Sequence, residues 1–375
     1  MNRLAIVSTH PIQYNAPLFR MLAKDDSIDL KVFYSKPSEE VKFDQDFGQE
    51  VAWDIPLLDG YEHASFEAAV PQGKRSLIDA IEAFKPKAVL MYGWNFPGHW
   101  AVMRHFKGRI PVWFRGDSTL LDPLPFWKKT ARKLLLTMVY RSVDRAFFVG
   151  QANKRYFEWA GLRPDQLTYA PHAVDNEFFM CAEEERHELA LQKRVELGIP
   201  ADAKVFIFVG KLESKKQPQM LAAAFMDAEL NNTHLVFIGS GALEAKLKAQ
   251  YGTTANVHFV GFQNQQSMPV WYRVGDVLCL PSKGPGETWG LAVNEAMASG
   301  CAAIASERTG CHEDILTSNS VGIHFPADRT DDLSESLRYA SELTWDRNAI
   351  QSHISHWSFP EIIKAIRLEL NQLKS

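Results

Sequence analysis

Short apolar runs alternate with helix-patterned stretches along almost the whole chain, and this alternation restricts the fold more than any other feature. Leu4–Ser8, Leu30–Tyr34, Ala88–Tyr92, Val112–Phe114 and Arg145–Val149 read as strands of one sheet. Helical stretches such as Ser76–Phe84 and Pro125–Arg141 lie between several of them. Val205–Val209, His234–Ile238, Val257–Val260, Val277–Leu280 and Ala302–Ala305 repeat the scheme. Strands joined by helices must run parallel, so the expectation is α/β, with two doubly wound sheets each covered by helices.

With 375 residues the chain can supply two domains of ordinary size, and 46% hydrophobic content can fill both cores. Residues 1–180 read as the first domain and 181–358 as the second, with a tail at 359–375. Glu177–Gly198 reads as the connection and the first helix of the second domain, its charged run Glu183-Glu184-Glu185-Arg186 being a solvated face. The tail, Phe359–Leu373, is amphipathic with a proline in its first turn.

A formal net charge of −4 does not suggest a nucleic-acid binder. The charge is uneven, however, because residues 100–160 hold 12 basic against 4 acidic side chains. Such a local excess suits an anionic surface. Cys181, Cys279, Cys301 and Cys311 lack Cys-x-x-Cys spacing and read as buried thiols in a reducing cytoplasm. Leu4–Val7 is too short an apolar run for a signal peptide, and no run of eighteen apolar residues spans a membrane. A cytoplasmic location is expected, with peripheral attachment to the inner face of the membrane as an extension of it.

Two glutamates, Glu287 and Glu295, stand eight positions apart around a strand-to-helix passage. The strand Val277–Leu280 runs out through Pro281-Ser282, and the helix pattern after Gly290 stops at Gly300. In an open parallel sheet that crevice is where ligands bind. The helix start, near Leu291, offers amides and a positive dipole end to a phosphate. Carboxylates on both sides of an anion site suit a ligand with phosphates and hydroxyls, such as a nucleotide sugar. Lys211 and Lys216 follow the strand end at Gly210 and reach the same crevice. Gly239-Ser240-Gly241 follows another strand, but Glu244 breaks a Gly-x-Gly-x-x-Gly fingerprint, so these glycines read as close packing near a nucleotide. Phe262, after the next strand, could border the base.

The stretch Pro281 to Gly300 resembles the Glu-x7-Glu signature of family-4 retaining glycosyltransferases of the GT-B fold. Val209-Gly210-Lys211-Leu212-Glu213-Ser214-Lys215-Lys216 is similar to that family's Gly-Arg-Leu…Lys segment, and Tyr169–Asp175 to its Pro-Asn-Gly-Val-Asp segment. Ser8–Tyr14 resembles the opening of one subset of these enzymes. The resemblance implies two Rossmann-like domains facing a cleft. The second would bind the donor, and the tail helix would pack back on the first. It implies a retaining, hexosyltransferase-type enzyme acting without a metal or other cofactor, in bacterial-type polysaccharide or glycolipid assembly. Glu287 would face the transferred sugar, Glu295 the ribose hydroxyls, and Lys211 and Lys216 the diphosphate. Trp289, Gly290 and Leu291 would lend backbone amides, although Trp289 could instead be a core aromatic. Two departures stand out: Lys211 holds a position where the family more often has Arg, and Gln217 one where it often has Gly.

On the acceptor side the candidates are His10, Arg115 and Asp117, each just after a strand of the first domain. His10 reads equally well as a structural histidine beside Pro11, and His172 as structural. The expected partners are a nucleotide-sugar donor and a glycan or lipid-linked acceptor. Asp44-Gln45-Asp46 satisfies an Asp-x-Asp pattern, but no apolar strand leads into it and no metal site is expected. Phe126–Leu136 combines aromatics, four basic residues and leucines, the composition of an interfacial helix in which Trp127 and Leu134 or Leu135 meet an anionic membrane. A domain helix with one buried stripe gives the same composition. Two other functional classes share the architecture: a nucleotide-sugar epimerase and a non-catalytic sugar-binding protein.

Overall fold

The apolar runs of the amino-terminal part form a seven-stranded parallel sheet in this computed structural model, which describes residues 1–37, 42–44, 49–51 and 53–373. Its strands are β1 (Asn2–Ser8), β2 (Ile28–Tyr34), then, past the short antiparallel pair β3 (Lys42–Asp44) and β4 (Gln49–Val51), β5 (Glu62–Ser65), β6 (Ala88–Tyr92), β7 (Val112–Arg115), β8 (Arg145–Phe148) and β9 (Leu167–Tyr169). The order is β5-β2-β1-β6-β7-β8-β9. Leu4 to Val7 are wholly buried because helices cover both faces, which is why β1 is apolar without alternation.

The second sheet has six parallel strands: β10 (Lys204–Val209), β11 (Thr233–Ile238), β12 (Val257–Gly261), β13 (Val277–Leu280), β14 (Ala302–Ser306) and β15 (Gly322–Phe325), in the order β12-β11-β10-β13-β14-β15. Each sheet therefore reverses its strand order once, between β1 and β6 in the first and between β10 and β13 in the second. The α/β, doubly wound expectation holds for both halves. β5, β9 and β15 went unread for physical reasons. They are edge strands of three or four residues, and β5 is Glu-His-Ala-Ser, with no apolar run to see.

One unit comprises Met1–Glu40, Ile55–His172 and Phe359–Ser375, and the other comprises Val41–Asp54 and Ala173–Ser358. The division expected after residue 180 falls eight residues earlier. Asp175 caps the helix Asn176–Met180 by accepting from the Phe178 amide at 3.1 Å, and Asn176 donates to the carbonyls of Ile354 and Trp357. The tail helix Phe359–Gln372 buries Phe359, Ile362, Ile366 and Leu370 in the first unit, and Glu369 there pairs with Arg145 at 3.1 Å.

The charged run at Glu183 is more than a solvated face. Glu183 accepts from the fully buried Arg273, and Arg186 donates to the Phe178 carbonyl. Arg194, on the same helix (Glu183–Glu196), is also buried; it donates to the Val274 carbonyl at 2.9 Å and to Asp276 at 3.1 Å. These bonds fasten the helix to the second unit. Cys279, Cys301 and Cys311 are buried free thiols, whereas Cys181 is exposed at the end of its short helix.

Candidate functional site

The reversal between β10 and β13 opens a crevice at the carboxyl ends of these two neighbouring strands. The chain leaves β10 at Gly210, passes Lys211, and closes a tight turn at Ser214–Lys216. It leaves β13 through Pro281-Ser282 and reaches the helix Leu291–Ala298. The Lys283 amide donates to the Lys215 carbonyl at 2.9 Å, so the two loops are held as one piece. Between them lies a cleft of about 270 Å³ lined by Gly210, Lys211, Lys215, Lys216, Gly286 and Glu287.

Glu287 and Lys216 form an ion pair within this cleft. The Ser282 hydroxyl donates to the same Glu287 oxygen at 2.8 Å. Both charged side chains are largely buried, so each depends on the other to offset lost hydration. Gln217 takes a left-handed conformation, φ +57°, with its amide donating to Asp328. A glycine adopts that geometry without steric cost, which accounts for glycine there in the family it resembles. Here the loop keeps its shape with a side chain anchored outside it.

Gly290 starts the helix at φ +95°, and a Cβ there would lie 2.5 Å from Thr309 Cγ2 and 3.0 Å from Leu280 Cδ2. The loop before it is clamped to the chain after β14: the Gly310 amide donates to the Glu287 carbonyl, and the Cys311 amide to the Trp289 carbonyl. The helix thus begins shortly after Glu287, and in its first turn the Val293 amide donates to the Gly290 carbonyl at 2.9 Å. Gly239 explains its own presence, since a Cβ there would meet the Gly210 carbonyl oxygen at 2.0 Å. The glycines after β11, Gly239 and Gly241, let that loop press against the Gly210–Leu212 backbone.

Glu295 stands apart from this group. It is only 4% exposed and does not line the cleft. The Tyr272 hydroxyl donates to one carboxylate oxygen at 2.7 Å and the Gln265 amide to the other at 3.3 Å. Burial pushes its carboxyl up to about 7, against the pull of the Tyr272 and Gln265 bonds. Trp289 is a core aromatic: its side chain is buried and its indole N–H donates to Asn294 at 2.8 Å. Phe262 is half-buried just beyond β12. Gln265, Tyr272 and the Thr309–Gly310 clamp had no sequence signal, because each acts through a contact remote in the chain, and Ser282 acts on Glu287 within one irregular loop, where spacing fixes no geometry.

In the first unit, His10 is exposed just after β1, its Nδ1 3.1 Å from the Thr9 hydroxyl. Arg115 does not present itself to a ligand. It is buried, and its guanidinium donates to the carbonyls of Ala170 and Pro171 at 2.9 and 2.7 Å. It serves to hold the exit of β9. Asp117 lies 3.8 Å from His172 Nε2. Asp46 of the Asp44-Gln45-Asp46 triple lies outside the described residues.

Two features now point to a class: two doubly wound sheets and a charged cleft at the switch point of the second. The fold is that of the GT-B glycosyltransferases. It superposes on the Anabaena protein HepE, solved in complex with UDP, with a TM-score of 0.76 and 17% identity over all of both chains. It superposes on sucrose-phosphate synthase from Thermosynechococcus elongatus with a TM-score of 0.74 and 17% identity, over 100% of this chain and 99% of that one. Residues 191–354, within the second unit, match the family model of the glycosyl transferases group 1. Among relatives by sequence, a D-inositol 3-phosphate glycosyltransferase of Thermomonospora curvata is 28% identical over 224 residues, 52% of each chain. An uncharacterized glycosyltransferase of Methanocaldococcus jannaschii is 33% identical over 124 residues, 32% of this chain and 31% of that one. The matches span about half the length of these curated relatives, or less.

Proposed function

We propose that this chain is a retaining, hexosyltransferase-type glycosyltransferase that moves a sugar from a nucleotide diphosphate to a hydroxyl of a glycan or lipid-linked acceptor, in polysaccharide or glycolipid assembly. The observation that carries the reading is the Lys216–Glu287 pair across the mouth of the β10/β13 crevice. One member is cationic, for a leaving phosphate, and the other anionic, for a sugar that gains positive charge. The match of residues 191–354 to the glycosyl transferases group 1 supports it, as does the UDP bound by the similar HepE.

In the proposed reaction the bond between the sugar's anomeric carbon and the β-phosphate oxygen breaks, and its electron pair stays on the phosphate. Lys216, Lys211 and the helix start at Leu291 stabilise that charge in place of a metal ion. An acceptor hydroxyl attacks the anomeric carbon from the same face, and its proton passes to the departing phosphate oxygen. Donor binding draws Lys216 from Glu287 to the diphosphate, which frees the carboxylate to accept from the sugar's hydroxyls. Glu295 takes the ribose hydroxyls by exchanging the longer of its two bonds, that from Gln265. Phe262 borders the base, and His10 and Asp117 serve the acceptor.

Thermal unfolding across uridine and guanosine diphosphate sugars tests the donor. A donor at a hundred times its dissociation constant should stabilise by about 2.7 kcal/mol. Proton NMR of the product linkage tests the stereochemistry: retention of the donor's anomeric configuration is expected, and an inverted linkage refutes it.

A further inference from the structure

The helix Phe126–Tyr140 carries a second apolar face that the fold does not use. Only Leu136, Val139 and Tyr140 are buried, whereas every residue from Phe126 to Leu135 is exposed. Trp127, Ala131, Leu134, Leu135 and Met138 recur at helical spacing along one side of the helix, away from the buried three. Trp127 is 67% exposed, Leu134 68% and Met138 59%. Scattered exposed leucines need no explanation, but an aligned stripe ending in a tryptophan does.

The charge of the helix says what covers the stripe. No Asp or Glu occurs between Asp122 and Asp144, and Lys128, Lys129 and Lys133 are all exposed. Arg132 is excluded from this group, because its guanidinium lies 5.5 Å from the Tyr156 ring centre and donates to the Tyr156 hydroxyl at 3.3 Å. A second copy of the chain docked through the same face would bring these lysines against like charges. We propose that this face docks on an anionic phospholipid bilayer, with Trp127, Leu134 and Met138 entering the acyl boundary, Lys128 beside the stripe meeting headgroup phosphates, and Lys129 and Lys133 on the far side of the helix adding attraction at longer range. The proposal rests on this helix alone and not on the transfer reaction.

The test is co-sedimentation of the full chain with vesicles of phosphatidylcholine, alone or mixed with phosphatidylglycerol, at low and high salt. Wild type should bind the mixed vesicles at low salt and lose most of that binding at high salt, as screening shortens from about 10 Å at 0.1 M to about 3 Å at 1 M. Lys128→Ser/Lys129→Ser/Lys133→Ser should weaken partitioning at least about fivefold, the share of one lysine held at the surface. Trp127→Ser/Leu134→Ser/Met138→Ser should stay in the supernatant at both salt levels. Thermal unfolding checks that each variant is folded, and should the apolar variant be unfolded, the lysine variant decides. The proposal is overturned if wild type ignores mixed vesicles at low salt, or if the folded variants bind as wild type does. It is also overturned if the stripe variant abolishes only a concentration-dependent dimer, which would make the face a self-association surface.

Discussion

Lys216 and Glu287 neutralise each other in the cleft, so removing either strands a charge and, on the proposed reading, also loses a donor contact. Lys216→Ala is expected to lower turnover more than a hundredfold, in line with losses of about 2.7–4 kcal/mol when one charge-stabilising group is removed. Glu287→Ala should act similarly. The two losses should not add in the double variant, because the residues are in contact. Steady-state kinetics on variants with native circular dichroism checks this, and unchanged turnover in both would remove the donor-site assignment. Glu295 gives a separate signature in pH. Its folded carboxyl titrates near 7, above the ordinary value of 4.5, so the native state holds a proton that the unfolded chain releases. Its contribution to stability is therefore full below about pH 4 and is lost as pH rises to about 7. Glu295→Gln should flatten that window, melting above wild type at pH 8 and level with it in acid. Melting temperatures measured across that range decide it, and parallel curves would show that Glu295 is ionised in the fold.

At the scale of elements, the helix Leu291–Ala298 is placed by what precedes it. Gly290 must turn through positive φ while Thr309 and Leu280 fill the space a side chain would need. Gly290→Ala should cost about 1–3 kcal/mol, from strain and overpacking together. On the proposed reading it should also weaken donor binding, since the same turn sets where the helix starts after Glu287. Urea midpoints and donor-induced thermal shifts would show both, and an unchanged midpoint would mean that the loop relaxes freely. The helix Phe126–Tyr140 illustrates how an element misleads. Its composition fits a half-buried domain helix and an interfacial helix equally, and the exposure of Trp127, Leu134 and Met138 is what makes the vesicle test worth running.

Across the whole molecule, the chain passes between its units at four points, after residues 40, 54, 172 and 358. No helix among the described residues is long and apolar enough to cross a membrane. If the basic side chains and the helix start carry the diphosphate charge, activity measured with a donor and acceptor pair should survive EDTA. Loss on chelation, restored by magnesium or manganese, would return attention to Asp44 and Asp46. The four crossings also set a folding constraint. Phe359–Ser375 belongs to the unit that opens the chain, so that unit is complete only when the last residues are in place.

The linear sequence by itself determined the alternation of strand and helix, and with it both parallel sheets, because a strand buried on two faces must be apolar throughout. It also determined which loops would meet. Residues that follow β10 and β13 share one crevice once the sheet is doubly wound, so Lys211, Lys216 and Glu287 could be named together. Tertiary structure decided the rest. Arg115 looked available to a ligand until the carbonyls of Ala170 and Pro171, more than fifty residues away, claimed its guanidinium. Glu295 gave no sign in the sequence that Tyr272 and Gln265 would hold its carboxylate. Whether the Trp289 side chain was core or exposed was decided when its indole met Asn294 inside the core, which leaves its backbone amide as before. Hydrogen-bond partners and burial are properties of space, and spacing along the chain carries them only where a regular element fixes the geometry between its own residues. Beyond one strand or one helical turn, a side chain's neighbours are chosen by the packing of segments that the sequence places far apart.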